Sequence, residues 1–118
     1  MKNVILIVEN DQDLSRLLTM HLRRKGYSTL SVDSLKGAES LLSNPGLTLM
    51  LIDNHLEDGL AIDHVEHFKS RSPGTPIVMM TADYIQDIRK SKQFNSLDGI
   101  LLKPFSPDSL NDILPAIA

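Results

Sequence analysis

Two periodicities alternate along this chain, and their alternation restricts the fold more than any other feature. Uninterrupted apolar runs occur at 4–8 (VILIV), 47–52, 77–80 and 100–102. A run that is apolar at every position has no wet face, so it reads as a strand covered on both sides. The segment 27–32, YSTLSV, instead alternates apolar and polar residues, as a half-exposed edge strand does. Between these segments the apolar residues recur every three or four positions. Leu14, Leu17, Leu18, His21 and Leu22 mark a helix that finishes on Arg23, Arg24, Lys25 and Gly26, cations near the carbonyl end and then a glycine stop. Leu35, Ala38, Leu41 and Leu42 mark a short second helix, ended by Asn44, Pro45 and Gly46. Ile62, Val65 and Phe68 mark a third, and Ile85, Ile88 and Lys92 a weaker fourth. The fifth begins with Ser106 as N-cap and Pro107 at the first helical position, and continues through Leu110, Ile113 and Leu114. Pro115 has no N–H to donate, so this helix is expected to stop or kink there.

The resulting order, βαβαβαβαβα, implies right-handed crossovers and a parallel sheet with helices on both faces. The expected fold class is therefore α/β, a flavodoxin-like doubly wound (βα)5 unit. Only 27–32 reads as an edge among the first four strands, which the strand order 2-1-3-4-5 satisfies. In such a sheet ligands bind beyond the carboxyl ends of the strands, at the switch between the first and third.

Composition narrows the classes further. The chain has 118 residues, enough for one core and too few for two, so a single domain over 1–118 is expected. The net charge of −3, with no basic run beyond Arg23-Arg24-Lys25, argues against direct nucleic-acid binding, which needs a concentrated basic face. The absence of cysteine removes disulfides and thiolate metal sites and fits a reducing compartment. No apolar stretch approaches a membrane span, and the five apolar residues after MKN are too few for a signal peptide. A cytoplasmic location without membrane contact is expected.

The inferred strand ends collect a coherent set of groups. Glu9 and Asn10 follow the first strand, Asp53 the third, Thr81 the fourth and Lys103 the fifth. Paired carboxylates with a nearby oxygen donor suit Mg2+, which keeps waters or substrate oxygens in its coordination sphere. An aspartate can attack phosphorus, and a lysine and a hydroxyl can bind the transferred phosphoryl oxygens. Each residue taken alone has an ordinary use: Asp53 capping a turn, Thr81 capping a helix, Lys103 charging a strand end, and Glu9 and Asp11 facing a helix N-terminus. Their joint placement favours the phosphoryl chemistry.

From Val4 to about Leu114 the chain resembles the receiver domains of two-component response regulators, of the chemotaxis-receiver type. The resemblance rests on Asp53, Thr81 twenty-eight residues later and Lys103-Pro104 twenty-two after that, each at a strand end. It implies that Asp53 is the phosphoacceptor, that Glu9 and Asn10 occupy the acidic pair, and that Thr81 and Lys103 face the phosphoryl group. It implies Mg2+ held by Glu9, Asn10, Asp53 and the main-chain carbonyl of His55. It also implies a sensor histidine kinase or phosphotransfer protein as donor, and an output surface on the fourth helix, fifth strand and fifth helix for an effector domain or downstream protein. Such a protein is a switch with self-catalysed phosphorylation and dephosphorylation, not a metabolic enzyme. Pro115 near the end hints at a linker and an effector domain beyond.

Three positions depart from the family pattern. Asn10 stands where the second acid is usually aspartate. The carbonyl oxygen remains, but a formal charge is lost, and at about 4 Å near a surface a full charge contributes about 4 kcal/mol before desolvation offsets it. Ile100 stands where an aromatic is usual, three residues before the lysine; a β-branched side chain is stiff there and carries no hydroxyl. In the loop after Asp53, Glu57 and Ala61 replace the usual Pro and Gly, with Gly59 still supplying a flexible position. Asn10 and Ile100 support a second hypothesis, a phosphorylation-independent pseudo-receiver serving as an interaction module. A phosphatase of the haloacid-dehalogenase type is set aside, because His55 stands where its second aspartate is required. His64 and His67, three apart, read as a solvated helix face rather than a metal site. Met50, Met79 and Met80 read as core.

Overall fold

The computed structural model describes residues 3–117, with side chains as far as Leu114. Five strands form one parallel sheet: β1 (Val4–Val8), β2 (Ser28–Val32), β3 (Leu47–Asp53), β6 (Ile77–Thr81) and β7 (Gly99–Leu102), in the order β2-β1-β3-β6-β7. Once a small hairpin of β4 (His55–Leu56) and β5 (Gly59–Leu60) is set apart, this is the expected 2-1-3-4-5 order. The helices are α1 (Gln12–Arg24), α2 (Leu35–Glu39), α3 (Val65–Arg71), α4 (Ile85–Ile88) and α5 (Pro107–Ile117).

The continuous apolar runs follow from two separate cores. Successive side chains of a strand point to opposite faces. In β1, Leu6 and Val8 face a core with Leu35, Ala38, Val65 and Phe68, while Ile5 and Ile7 face another with Leu18, Leu22, Leu110 and Leu114. Met50, Ile52 and Met79 join the first core, and Leu49, Leu51, Val78 and Met80 the second. All three methionines named from the sequence are therefore core residues. β2, at the edge, has no fully buried residue, as its alternation required.

Local signals fix the element ends. Asp11 caps α1, its Oδ1 accepting from the N–H groups of Asp13 (3.0 Å) and Leu14 (3.2 Å). Gly26 follows that helix at φ +96°, a conformation costly for other residues. Ser106 Oγ accepts from Ser109 N at 3.2 Å and so caps α5 as expected.

Several boundaries differ from the sequence-based expectation. α2 ends at Glu39 and continues as turns, although Leu42 still reaches the core. α3 starts only at Val65, after a 3-10 turn at Ala61–Asp63 that holds Ile62. α4 is a single turn, in which Ile88 is buried and Ile85 half-buried, little apolar area to hold a longer helix. The backbone of α5 runs past Pro115 to Ile117, so the proline does not stop it. The missing N–H removes one bond close to the helix end, where few turns depend on it.

Candidate functional site

The parallel register places the strand ends side by side. Val8 pairs with Ile52, Asp53 with Met80, and Thr81 with Leu102, so Glu9, Asp53, Thr81 and Lys103 follow one another across one edge of the sheet. Glu9 is 2% exposed, Asp53 7% and Thr81 0%. The hydrophobic runs leading to them carry these polar groups into a nearly dry position.

Lys103 joins the two acids. Its Nζ donates to Glu9 Oε1 at 2.8 Å and stands 3.3 Å from Asp53 Oδ1. The other Glu9 oxygen, Oε2, accepts from Asp11 N at 3.0 Å. One cation thus serves two buried carboxylates. Burial, and after it the charge of Glu9, push the Asp53 carboxyl above its ordinary pKa, although Lys103 opposes both. Burial alone would lower the Lys103 pKa, but its bonds to Glu9 and Asp53 hold it above the usual lysine range. The Lys103–Pro104 peptide bond is cis.

This imbalance of charge bears on Mg2+. Two carboxylates share one ammonium, each carboxylate oxygen has two lone pairs, and Asp53 is destabilised as an anion. Such a donor set fits a hard divalent cation that retains open positions. The fit is leaner than three acids would give. Asn10 is exposed just past β1, and Asp11 is committed to the α1 cap, so it does not make good the missing charge. Among the described residues, no three histidine, cysteine, aspartate or glutamate side chains cluster as a metal site. This covers His64 and His67 as well: His67 Nε2 meets Glu39 Oε1 at 2.6 Å, and the His64 ring stacks on Phe68.

The loop after Asp53 is tied down on both sides. Asp58 accepts from the N–H groups of Leu35 (2.9 Å) and Lys36 (3.0 Å), and these bonds, the Leu35 one foremost, hold its carboxyl below the ordinary range. Gly59 takes φ +146°, a backbone conformation that side chains rarely adopt, so the loop's remaining glycine is favoured by conformation; a Cβ there would also press Leu35 Cδ1, 3.0 Å away. On the other side, Asn54 Nδ2 donates to Asp83 Oδ2 at 3.0 Å, and His55 Nε2 lies 2.7 Å from the same oxygen. Burial alone would raise the Asp83 pKa, but the bonds from Asn54 and His55 leave it lowered. The His55 side chain, whose main-chain carbonyl alone entered the sequence-based expectation, has Asp83 as its partner.

Sequence reasoning overlooked Asn54 and Asp83. Each lies within two residues of a residue it did select, Asp53 or Thr81. Nothing in one sequence signals that an asparagine will be 2% exposed, or that two loops will meet through it. At the fifth strand, Ile100 is half-buried and packs with the core that holds Ile88, while Leu102 is 50% exposed.

The chain matches the model of the response regulator receiver domain over residues 5–115. It is 38% identical over 77 residues to the response regulator protein PilR of Pseudomonas aeruginosa, covering 65% of this chain and 17% of PilR. It is 29% identical over 108 residues to the phosphate regulon transcriptional regulatory protein PhoB of Escherichia coli, covering 90% of this chain and 47% of PhoB. It thus spans less than half the length of both. The crystal structure of a two-component response regulator from Clostridium difficile superposes with a TM-score of 0.88 at 26% identity, covering 98% of this chain and 95% of that one.

Proposed function

The chain belongs to the response regulator receiver domain family, and on that premise we propose that it is a phosphoacceptor switch. Asp53 receives a phosphoryl group from a sensor histidine kinase or phosphotransfer protein in the presence of Mg2+. The observation that carries this reading is Lys103 within reach of both Glu9 and Asp53, at the buried end of the sheet.

The Glu9 and Asp53 carboxylates, the Asn10 amide oxygen and the His55 main-chain carbonyl would hold the metal. Held there, Mg2+ would supply neutralisation of the charge on the phosphoryl oxygens. An Asp53 oxygen attacks phosphorus while the phosphorus–donor bond breaks, and the donor atom keeps that bond's electron pair. Lys103, drawn toward Glu9, donates to a phosphoryl oxygen, and the Thr81 hydroxyl donates to another. Attack of water on phosphorus breaks the phosphorus–Asp53 bond and returns the Asp53 carboxylate and inorganic phosphate, so both phosphorylation and its reversal use groups of this chain, and the outcome is a switch rather than a metabolic product. The output surface is α4, β7 and α5, where Tyr84 (74% exposed) and Leu102 present apolar area to an effector domain or downstream protein. In this reading residues 1–118 form one cytoplasmic receiver domain that makes no direct contact with nucleic acid or membrane.

A phosphorylation-independent interaction module is the second reading. One observation favours it: Glu9 and Asp53 are the two carboxylates that meet at Lys103, and Asn10 beside them brings no charge for a metal. Beryllofluoride with Mg2+, added while amide resonances are followed, separates the two. The switch reading expects shifts at Asp53, Thr81 and Lys103. An unchanged spectrum at saturating reagent would favour the module.

A further inference from the structure

The chemistry above assigns no task to Asp83, although three contacts from two loops meet on it. Its N–H donates to Thr81 Oγ1 at 3.0 Å. Its carboxylate takes a hydrogen bond from Asn54 Nδ2 at 3.0 Å and meets His55 Nε2 at 2.7 Å. Asn54 is anchored in turn, its Oδ1 accepting from Ile62 N at 2.9 Å and its own N–H donating to Met80 O at 3.2 Å. The loop that carries Thr81 is therefore clipped, through side chains, to the loop that follows Asp53.

A helix cap is the simpler use for an aspartate in this position, and it does not fit. The Asp83 carboxylate bonds Asn54 and His55 rather than an N–H of α4, whose N-cap, Tyr84, makes no side-chain capping bond. What the clip does fix is the turn that brings Asp83 N–H onto Thr81. A hydroxyl has one proton to give and two lone pairs to receive. At Thr81 one lone pair is occupied by Asp83 N–H, which restricts the rotation of the hydroxyl and leaves its proton for a different partner. Thr81 is fully buried at the strand end beside Asp53, so few other acceptors compete for that proton.

We propose that Asp83, held by Asn54 and His55, is a positioning residue for phosphoryl transfer: it sets the Thr81 hydroxyl as a donor to the phosphoryl group arriving at Asp53. The proposal rests on Asp53 being the acceptor. Asp83 touches no reacting atom; it acts through Thr81.

The test is the rate of Mg2+-dependent labelling by acetyl phosphate in the natural chain, Asp83→Ala, Thr81→Ala and the double variant. Asp83→Ala is expected to slow labelling about tenfold, the scale of a small misplacement of a reacting group. In the Thr81→Ala background the same change should have no further effect, because the group it positions is gone. Asp83→Asn keeps an acceptor for Asn54 and should retain most of the rate. His55→Ala removes one exposed partner at little risk to folding, so it should slow labelling less, and again only when Thr81 is present. Natural-rate labelling in both Asp83→Ala and His55→Ala would overturn the proposal, as would equal slowing with and without Thr81. Absence of label on the natural chain would instead sink the acceptor reading, and this proposal with it.

Discussion

The ammonium of Lys103 lies 2.8 Å from Oε1 of Glu9, a residue ninety-four positions earlier in the chain. No local feature joins them; the parallel sheet does, by ending its first and fifth strands in sequence at the same edge. The same ammonium is 3.3 Å from Asp53, so one positive charge balances two nearly dry negative ones. The site is short of positive charge, and most of the behaviour expected of the protein follows from that shortage.

Asp53→Asn should raise the melting temperature of the metal-free protein at neutral pH. Burial and the charge of Glu9 raise the folded-state pKa of Asp53 above its unfolded value. Folding then favours the protonated form, and that contribution is complete below the ordinary carboxylate pKa and is lost as pH rises through the raised one. At neutral pH the ionised group burdens the fold, and an amide of the same shape does not. Calorimetry across pH should find the two proteins converging as pH falls below the ordinary carboxylate range. A lower melting temperature for Asp53→Asn at neutral pH would contradict the charge account.

Asn10→Asp should strengthen Mg2+ binding by about tenfold, since even part of a full Coulomb term is of that size near a surface. Without metal the variant should melt slightly lower, because a third acid joins two that already share Lys103. Added Mg2+ should reverse that loss by mass action and give a larger thermal shift than in the natural chain. Titrating both proteins with Mg2+ checks both halves. Identical responses would remove Asn10 from the metal site.

Ile100→Tyr should destabilise the fold by about 1–3 kcal/mol through overpacking, because Ile100 is half-buried against the core that holds Ile88. A β-branched side chain stiff at its first torsion and half-buried is expected to fill space rather than swing. Urea unfolding measures the cost. Unchanged stability together with tighter beryllofluoride binding would show that the position still works as an aromatic gate.

How much of this was legible in the sequence depends on the range of the interaction. The strands were readable because burial on both faces leaves no polar residue in VILIV or IVMM, and the sheet order followed from the single alternating edge, β2. The Asp11 and Ser106 caps were readable because each bonds N–H groups within three residues. Strand-end placement brought Glu9, Asp53, Thr81 and Lys103 together for the same geometric reason. The β4–β5 hairpin was not readable, since each strand is only two residues long, too short to show a period, and the Asp58 bonds at its turn reach Leu35 and Lys36 more than twenty residues away. Nor was the bridge from Asn54 and His55 to Asp83, where polar side chains from two loops meet twenty-eight or more residues apart. Periodicity reports burial; it carries no record of which polar side chain bonds which.

The central claim is that Asp53 accepts a phosphoryl group in a metal-dependent reaction, and intact-mass measurement after incubation with acetyl phosphate tests it most directly. The natural chain should gain the mass of one phosphoryl group when Mg2+ or Mn2+ is present, gain none in a chelator, and lose the label on standing as water attacks the acyl phosphate. Asp53→Asn should gain none under any of these conditions. Undiminished labelling of Asp53→Asn, or a natural chain that takes no label at saturating metal and donor, would contradict it.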